Sequence, residues 1–190
     1  MAADWTTFKT NMKRYMLTYQ AKSASDYATK IANEYDSAVM QATLLNGNTL
    51  TRGNKKALIE DAFKTAFNLM FQSYTDLGLK PYTTIATAII LYWRGMQINP
   101  IPPIPPTVQP STGFTITFFG LPSPLDEGLR KAFNSGMNIT DSNKAIDTVL
   151  TNLVTAFSTH MKLISGVYNG LIPSTNGLIA YPPINWTGIF

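Results

Sequence analysis

A mainly α-helical chain with a small β element is what this sequence predicts, and three observations predict it. Apolar residues recur at helical spacing through most of the first 95 residues and again through 141–164. Helix punctuation (Ser23-x-x-Asp26, Gly78, Pro81, Ser123-Pro124, Thr140-Asp141) falls where those periodic stretches begin and end. Two further stretches, 95–125 and 163–190, contain no Asp, Glu, Lys or Arg at all. The expected architecture is a helical domain of about five or six helices over 1–164, long enough for a core of its own. It carries a proline-rich strap and short β element at 96–122, and an extended apolar C-terminal arm follows at 165–190.

The first helix covers roughly residues 4–21. The second opens at Ser23, which forms a capping box with Asp26, and Tyr27, Ile31, Tyr35 and Val39 mark its face at successive i+4 steps. In the third, Ile59, Phe63, Phe67, Met70, Tyr74 and Leu77 hold the spacing of one buried face, so Phe67 is expected to be fully buried. Gly78 ends it, with Leu79 placed against Tyr74 as in a Schellman motif, and Pro81 starts a fourth helix running to about Gly95. Alanines and threonines there, with Ile85, Ile89 and Leu91, allow close packing on several sides and predict a central position. Residues 112–119 alternate in part, Phe114, Ile116 and Phe118 opposite Thr115 and Thr117, as a short strand with a partner elsewhere would. Ser123 as cap, Pro124 in the first position and Asp126 completing the box predict a short helix ending at Gly136. A last long helix follows Thr140 or Asp141, its face marked by Ile146, Val149, Leu153, Phe157, His160 and Ile164.

Composition bounds the function. Charged residues make up 14% of the chain, against roughly 25% in an ordinary soluble domain, so part of the surface is expected to be covered by another molecule. A net charge of +4 is mildly basic, well short of the dense patch of a dedicated nucleic-acid binder. The absence of cysteine excludes disulfides, thiolate metal sites and a cysteine nucleophile. Lysines inside MAADWTTFKTNMKRYML argue against a signal peptide, and the weakly polar run 82–93 is too short for the ~20 residues that cross a bilayer. Synthesis and retention in a cytoplasm are therefore expected.

Catalytic signatures do not emerge. The sequence holds no P-loop, GxGxxG, GxSxG or HExxH. Its sole histidine, His160, lies on the apolar stripe of the last helix, where a hydrogen-bonded core or interface role is expected rather than general-base chemistry. Glu60-Asp61 and Asp126-Glu127 are adjacent pairs that point in different directions on a helix. No enzyme activity, cofactor or metal is expected. Lys9, Lys13 and Arg14 beside Trp5, Tyr15 and Tyr19, with Lys55-Lys56, supply an alternative reading as a nucleic-acid-associated protein. Interspersed Asp4, Asp26, Glu34 and Asp36 weigh against it. A membrane-active role ranks lower, because the uncharged tail lacks a basic polar face.

Eight of the 12 prolines fall between Pro100 and Pro124, where they favour an extended backbone that is ordered before it binds. The two charge-free stretches share a loose plan, an aromatic near a helix end, a glycine, an apolar run and a PPI. Both are too apolar for a solvated linker and are stable only when covered. Pro102, Pro103, Pro105 and Pro106 of the strap, with Tyr181, Pro182, Pro183, Trp186, Ile189 and Phe190 of the tail, are the expected assembly interface. With LYWRG at 91–95, the proline run after it, and HMKLISGVYNG leading to YPPINWTGIF, the chain resembles virion structural proteins of tailed bacteriophages, of the neck, tail-completion or baseplate kind. The resemblance implies a non-enzymatic part in a ring or tube, made in the host cytoplasm, with copies of itself and neighbouring virion proteins as partners.

Overall fold

A computed structural model describes residues 3–18, 23–42, 49–51, 56–72, 80–99, 109–174, 177–180, 184–187 and 189. In chain order they form α1 (Trp5–Thr18), α2 (Ala24–Met40), β1 (Thr49–Thr51), α3 (Lys56–Gln72), α4 (Lys80–Arg94), β2 (Gln97–Asn99) and β3 (Gln109–Phe118). There follow α5 (Pro122–Asn134), α6 (Ser142–Leu163), β4 (Ser165–Ser174), β5 (Gly177–Ala180) and β6 (Ile184–Thr187). The fold is mainly α, as the periodicity predicts.

Local chemistry sets most of the helix starts. Asp4 accepts from the Thr7 N–H at 2.9 Å ahead of α1. Ser23 accepts from the Asp26 N–H at 3.2 Å and donates its hydroxyl to the Asp26 carboxylate at 2.9 Å, so the predicted box starts α2. Asp141 caps α6 by accepting from the Lys144 N–H at 2.8 Å. The start of α5 corrects the sequence reading. Leu121 is its N-cap without a side-chain bond, and Pro122 already opens the helix, where its missing N–H costs nothing. Ser123 thus falls inside the helix, and Asp126 instead accepts from the Thr83 hydroxyl of α4 at 3.3 Å, buried at 8% exposure. The predicted Schellman stop at Gly78, with Tyr74, Leu77 and Leu79, lies outside the described residues.

Each helix packs on the next in sequence, and α1 returns to α6, so the six close into a ring. Its centre is aromatic. Tyr35 of α2 touches Trp5, Tyr92 and Phe157, with ring centroids 5.8, 5.7 and 4.9 Å away. Tyr35, Tyr92, Trp93 and Phe157 are all fully buried, and Ile85 and Ile89 bear out the central place expected of α4. Two hydrogen bonds cross this core in opposed order: Trp93 Nε1–H donates to the Tyr35 hydroxyl at 3.0 Å, and the Tyr92 hydroxyl donates to Asp36 at 2.9 Å. Phe67 departs from expectation. It packs against Tyr27, Phe63 and Phe133 but is only partly buried, because Tyr27 and Phe133 are themselves at a rim of the core.

Two antiparallel sheets complete the fold. β1 pairs with β2, Thr49 opposite Asn99, a contact too short to leave an alternation in the sequence. β3 pairs with β4, and β4 pairs on with β5 and β6. The helix pair α5–α6 therefore takes the place of a turn between β3 and β4, and Phe118 stands opposite Ser165 at its base. A register shift between Ile116 and Phe118 breaks the alternation read from the sequence, so Ile116 is 8% exposed and Phe118 is 40% exposed. The expected C-terminal arm is corrected over its described stretches. Residues 165–174, 177–180 and 184–187 pair within the chain, because an uncharged backbone this apolar satisfies its own N–H and C=O groups by laddering.

Tyr35→Phe removes the acceptor of the fully buried Trp93 N–H while keeping the ring. It should cost about 1–3 kcal/mol in denaturant unfolding, the penalty of an orphaned buried donor. A loss under about 0.5 kcal/mol would show that this bond does not hold α2 to α4.

Candidate functional site

The expected interface residues divide into three groups. Pro102, Pro103, Pro105, Pro106, Tyr181, Pro182, Pro183 and Phe190 lie outside the described residues. Trp186 sits in β6 opposite Gly166 of β4. Ile189 is 2% exposed, and its N–H donates to the Met161 carbonyl at 3.2 Å, which caps the last turn of α6. Ile189 is therefore part of this subunit's own core, a correction whose reason is the apolar surface its side chain removes from water there.

All six strands are free of charged residues, and the charges sit on helices and their connections. Among the described positions flanking β4, Thr117 and Phe118 on β3 and Asn185 on β6 are exposed. Residues 119–121 join this sheet to the helices, and two contacts hold them. The Arg94 guanidinium lies over the Phe119 ring, 5.7 Å from its centre. Nε2 of His160 stands 2.9 Å from the Phe119 carbonyl, so Nε2 carries the proton and donates. Gly120 adopts φ +82°, and a Cβ there would lie 2.5 Å from His160 Nε2. Only glycine supplies that conformation and that clearance at once.

His160 is 2% exposed, as its place on the apolar stripe predicts. Burial pushes its pKa from the usual 6.5 down to about 4, with the bond to Phe119 acting weakly the other way. With Nε2 donating, Nδ1 is a bare acceptor, and it is buried without a partner among the described residues. The ring lines a groove of about 460 Å³ between α5 and α6. Gly128 and Ala156 form part of its lining, where the helices approach so closely that a Cβ on Gly128 would meet the Ala156 Cβ at 2.9 Å. Sequence reasoning missed this groove; the signal available was Phe-Phe-Gly-Leu-Pro ahead of α5, a glycine joint beside the only histidine's helix.

Two of the three basic residues of α1, Lys9 and Lys13, meet an acidic partner in the chain. Lys13 contacts Asp147 of α6 at 2.6 Å and Lys9 at 3.5 Å, and the Lys13 hydrogen bond holds the Asp147 carboxyl below its usual 3.8. Lys56 donates to Asn33 at 2.7 Å, and Trp5 stacks on Phe157 inside the helical ring. Among the described residues, no three His, Asp or Glu side chains gather closely enough to hold a metal ion, and no helix is long and apolar enough to cross a membrane. No protein-family model, curated protein or solved structure matches this chain.

Two outcomes follow. Below pH 6.5 the unfolded chain takes up a proton at His160 that the folded chain refuses until about pH 4. Stability should fall across that window by about 3 kcal/mol, and His160→Gln should flatten the slope in pH-dependent unfolding. Ile189→Ala should cost about 2–5 kcal/mol in the same assay, as for a core residue rather than a free tail.

Proposed function

We propose that the protein is a non-enzymatic building block of a multi-subunit assembly, of the kind found in the neck, tail or baseplate of a tailed phage. In this reading copies meet through the charge-free side of the molecule to build a ring or tube. The observation that carries the reading is the separation of charge from sheet. None of the six strands bears a charge, and Phe118 is 40% exposed among them. A sheet facing water ordinarily guards itself with charged side chains, lysine above all. A surface without that guard is one meant to be covered. The strap prolines and residues 181–183, which neighbour the paired strands in sequence, are likewise uncharged.

The nucleic-acid alternative loses support, since Lys9 and Lys13 share Asp147 and Trp5 is partly buried, stacked on Phe157 against the core. A base-stacking platform needs its aromatic faces free.

Light scattering at rising protein concentration tests the proposal. Phe118→Lys and Asn185→Lys place charges at exposed positions on either side of β4. Each should weaken self-association at least about tenfold, with the melting temperature unchanged. A wild-type chain that stays monomeric at every concentration and salt, or variants that assemble as the wild type does, would sink the assembly reading. Retention on DNA that falls steeply with salt would favour the alternative instead.

A further inference from the structure

The joint at 119–121 is held to the helices mainly through His160. Thr117, Phe118 and residues 121–124 are exposed, so few apolar contacts tie this stretch down. The Nε2–H of His160 donates to the Phe119 carbonyl at 2.9 Å. Gly120 lies against the same edge of the ring, so closely that a Cβ would stand 2.5 Å from Nε2. His160 itself is anchored, because Phe157, Met161 and Ile164 beside it on α6 are fully buried. The turn can therefore lift while the helix stays. A neutral ring suits this arrangement and a charged one does not. Nδ1 is buried without a partner among the described residues, so a proton added there would make an N–H with nothing to accept it.

We infer that residues 119–121 form an acid-operated latch: a proton taken up by His160 releases the turn from α6 and frees the end of β3 from the helical ring, which stays folded. The charged groups around it do not offset such a proton. Arg94 of α4, over the Phe119 ring, is itself cationic. On α5, Lys131 pairs with Glu127 and Asp126 accepts from Thr83. On α1, Lys9 and Lys13 are held by Asp147, and Asp36 of α2 accepts from Tyr92. Lys162 of α6 is exposed, and β3 and β4 bear no charge. Accordingly burial lowers the His160 pKa to about 4, opposed only by the bond to Phe119. Once the turn lifts, the ring meets water and regains its ordinary value of 6.5. The latch is therefore closed above pH 6.5, and its opening constant rises as pH falls toward 4, where it levels off. The rise is about 25-fold between pH 7 and pH 5, and about 300-fold in all. The inference stands apart from the assembly reading, since it concerns a single chain.

The sole histidine makes the test direct, because its ring nitrogen signals in a ¹⁵N-labelled sample need no assignment. They are followed from pH 7 to pH 4 together with the Gly120 amide and the Trp93 indole N–H, which is buried on the Tyr35 hydroxyl and reports the core. Exchange broadening at Gly120 should report an opened fraction that rises about 25-fold from pH 7 to pH 5, while the Trp93 signal stays as it is. His160→Gln, neutral at every pH, should remove the acid response at Gly120. Gly120→Ala, whose Cβ cannot sit beside the ring, should hold the latch open at pH 7 and raise the His160 pKa by at least about one unit. A Gly120 signal that holds still while His160 takes its proton would overturn the inference. So would a Gly120 response that comes only as the Trp93 signal is lost, which is global unfolding, or one that persists undiminished in a folded His160→Gln variant. The three signals in the wild-type chain decide the matter even where neither variant folds.

Discussion

Two hydrogen bonds at the centre of the helical ring constrain everything around them. Tyr35 and Asp36 are neighbours on α2, Tyr92 and Trp93 are neighbours on α4, and the four pair in opposed order, 35 with 93 and 36 with 92. A buried hydroxyl, indole N–H or carboxylate is tolerable only when bonded. Sliding α2 along α4 by one turn would part both pairs at once, whereas a purely aliphatic contact would accept the slip at small cost. The aromatic bodies of the same residues then carry the register outward, because Tyr35 also touches Trp5 of α1 and Phe157 of α6. Burial keeps the Tyr35 phenol well above its usual pKa of 10, so it stays a neutral hydroxyl throughout. One tyrosine thus fixes how four of the six helices meet.

Around this centre the molecule sorts its chemistry by element. Helices carry the ion pairs, among them Lys30 with Glu34 along α2 and Lys131 with Glu127 along α5. The exposed Lys131–Glu127 pair is worth little in stability, roughly 0–1 kcal/mol, and serves mainly to keep that face in water. The strands hold only uncharged residues and are stabilised by pairing with one another. Turn 119–121 is where the two regimes meet, and it is tied to the helices by Arg94 and His160.

Helices were legible because their signals are local. Ser23 with Asp26, and Asp141 ahead of Lys144, act over three residues, and the apolar spacing of α6 shows in Leu153, Phe157, His160 and Ile164, all buried. The start of α5 differs from the expectation by two residues because two proline-containing pairs, Leu121-Pro122 and Ser123-Pro124, compete for the cap, and the serine looks the better one in isolation. Ladder partners were not legible at all. Gly166 opposite both Ile116 and Trp186 is a relation across some 50 and 20 residues, and pairing through backbone atoms leaves little trace in side-chain type. The apolar tail was expected as an arm docked on a neighbouring subunit, but composition is silent on whether such a segment pairs within its own chain, as 165–174, 177–180 and 184–187 do. The groove escaped notice for a similar reason, since a cleft between two helices is a property of three-dimensional surroundings.

The insertion of α5 and α6 between β3 and β4 bears on the order in which the chain folds. Bringing 109–118 to 165–171 from a disordered chain would close a long loop, an entropic cost that rises with the logarithm of its length. Two helices that pack on each other shorten that loop before it closes, and they form from contacts near in sequence, which develop fastest. With Gly128 set against Ala156, the pair delivers Phe118 and Ser165 to one another already in register. The sheet is thus the late product of the helix pair, and β5 and β6 can add only after β4 has found its place. Ribosomal synthesis runs in the same direction, so each segment emerges after the one that will receive it.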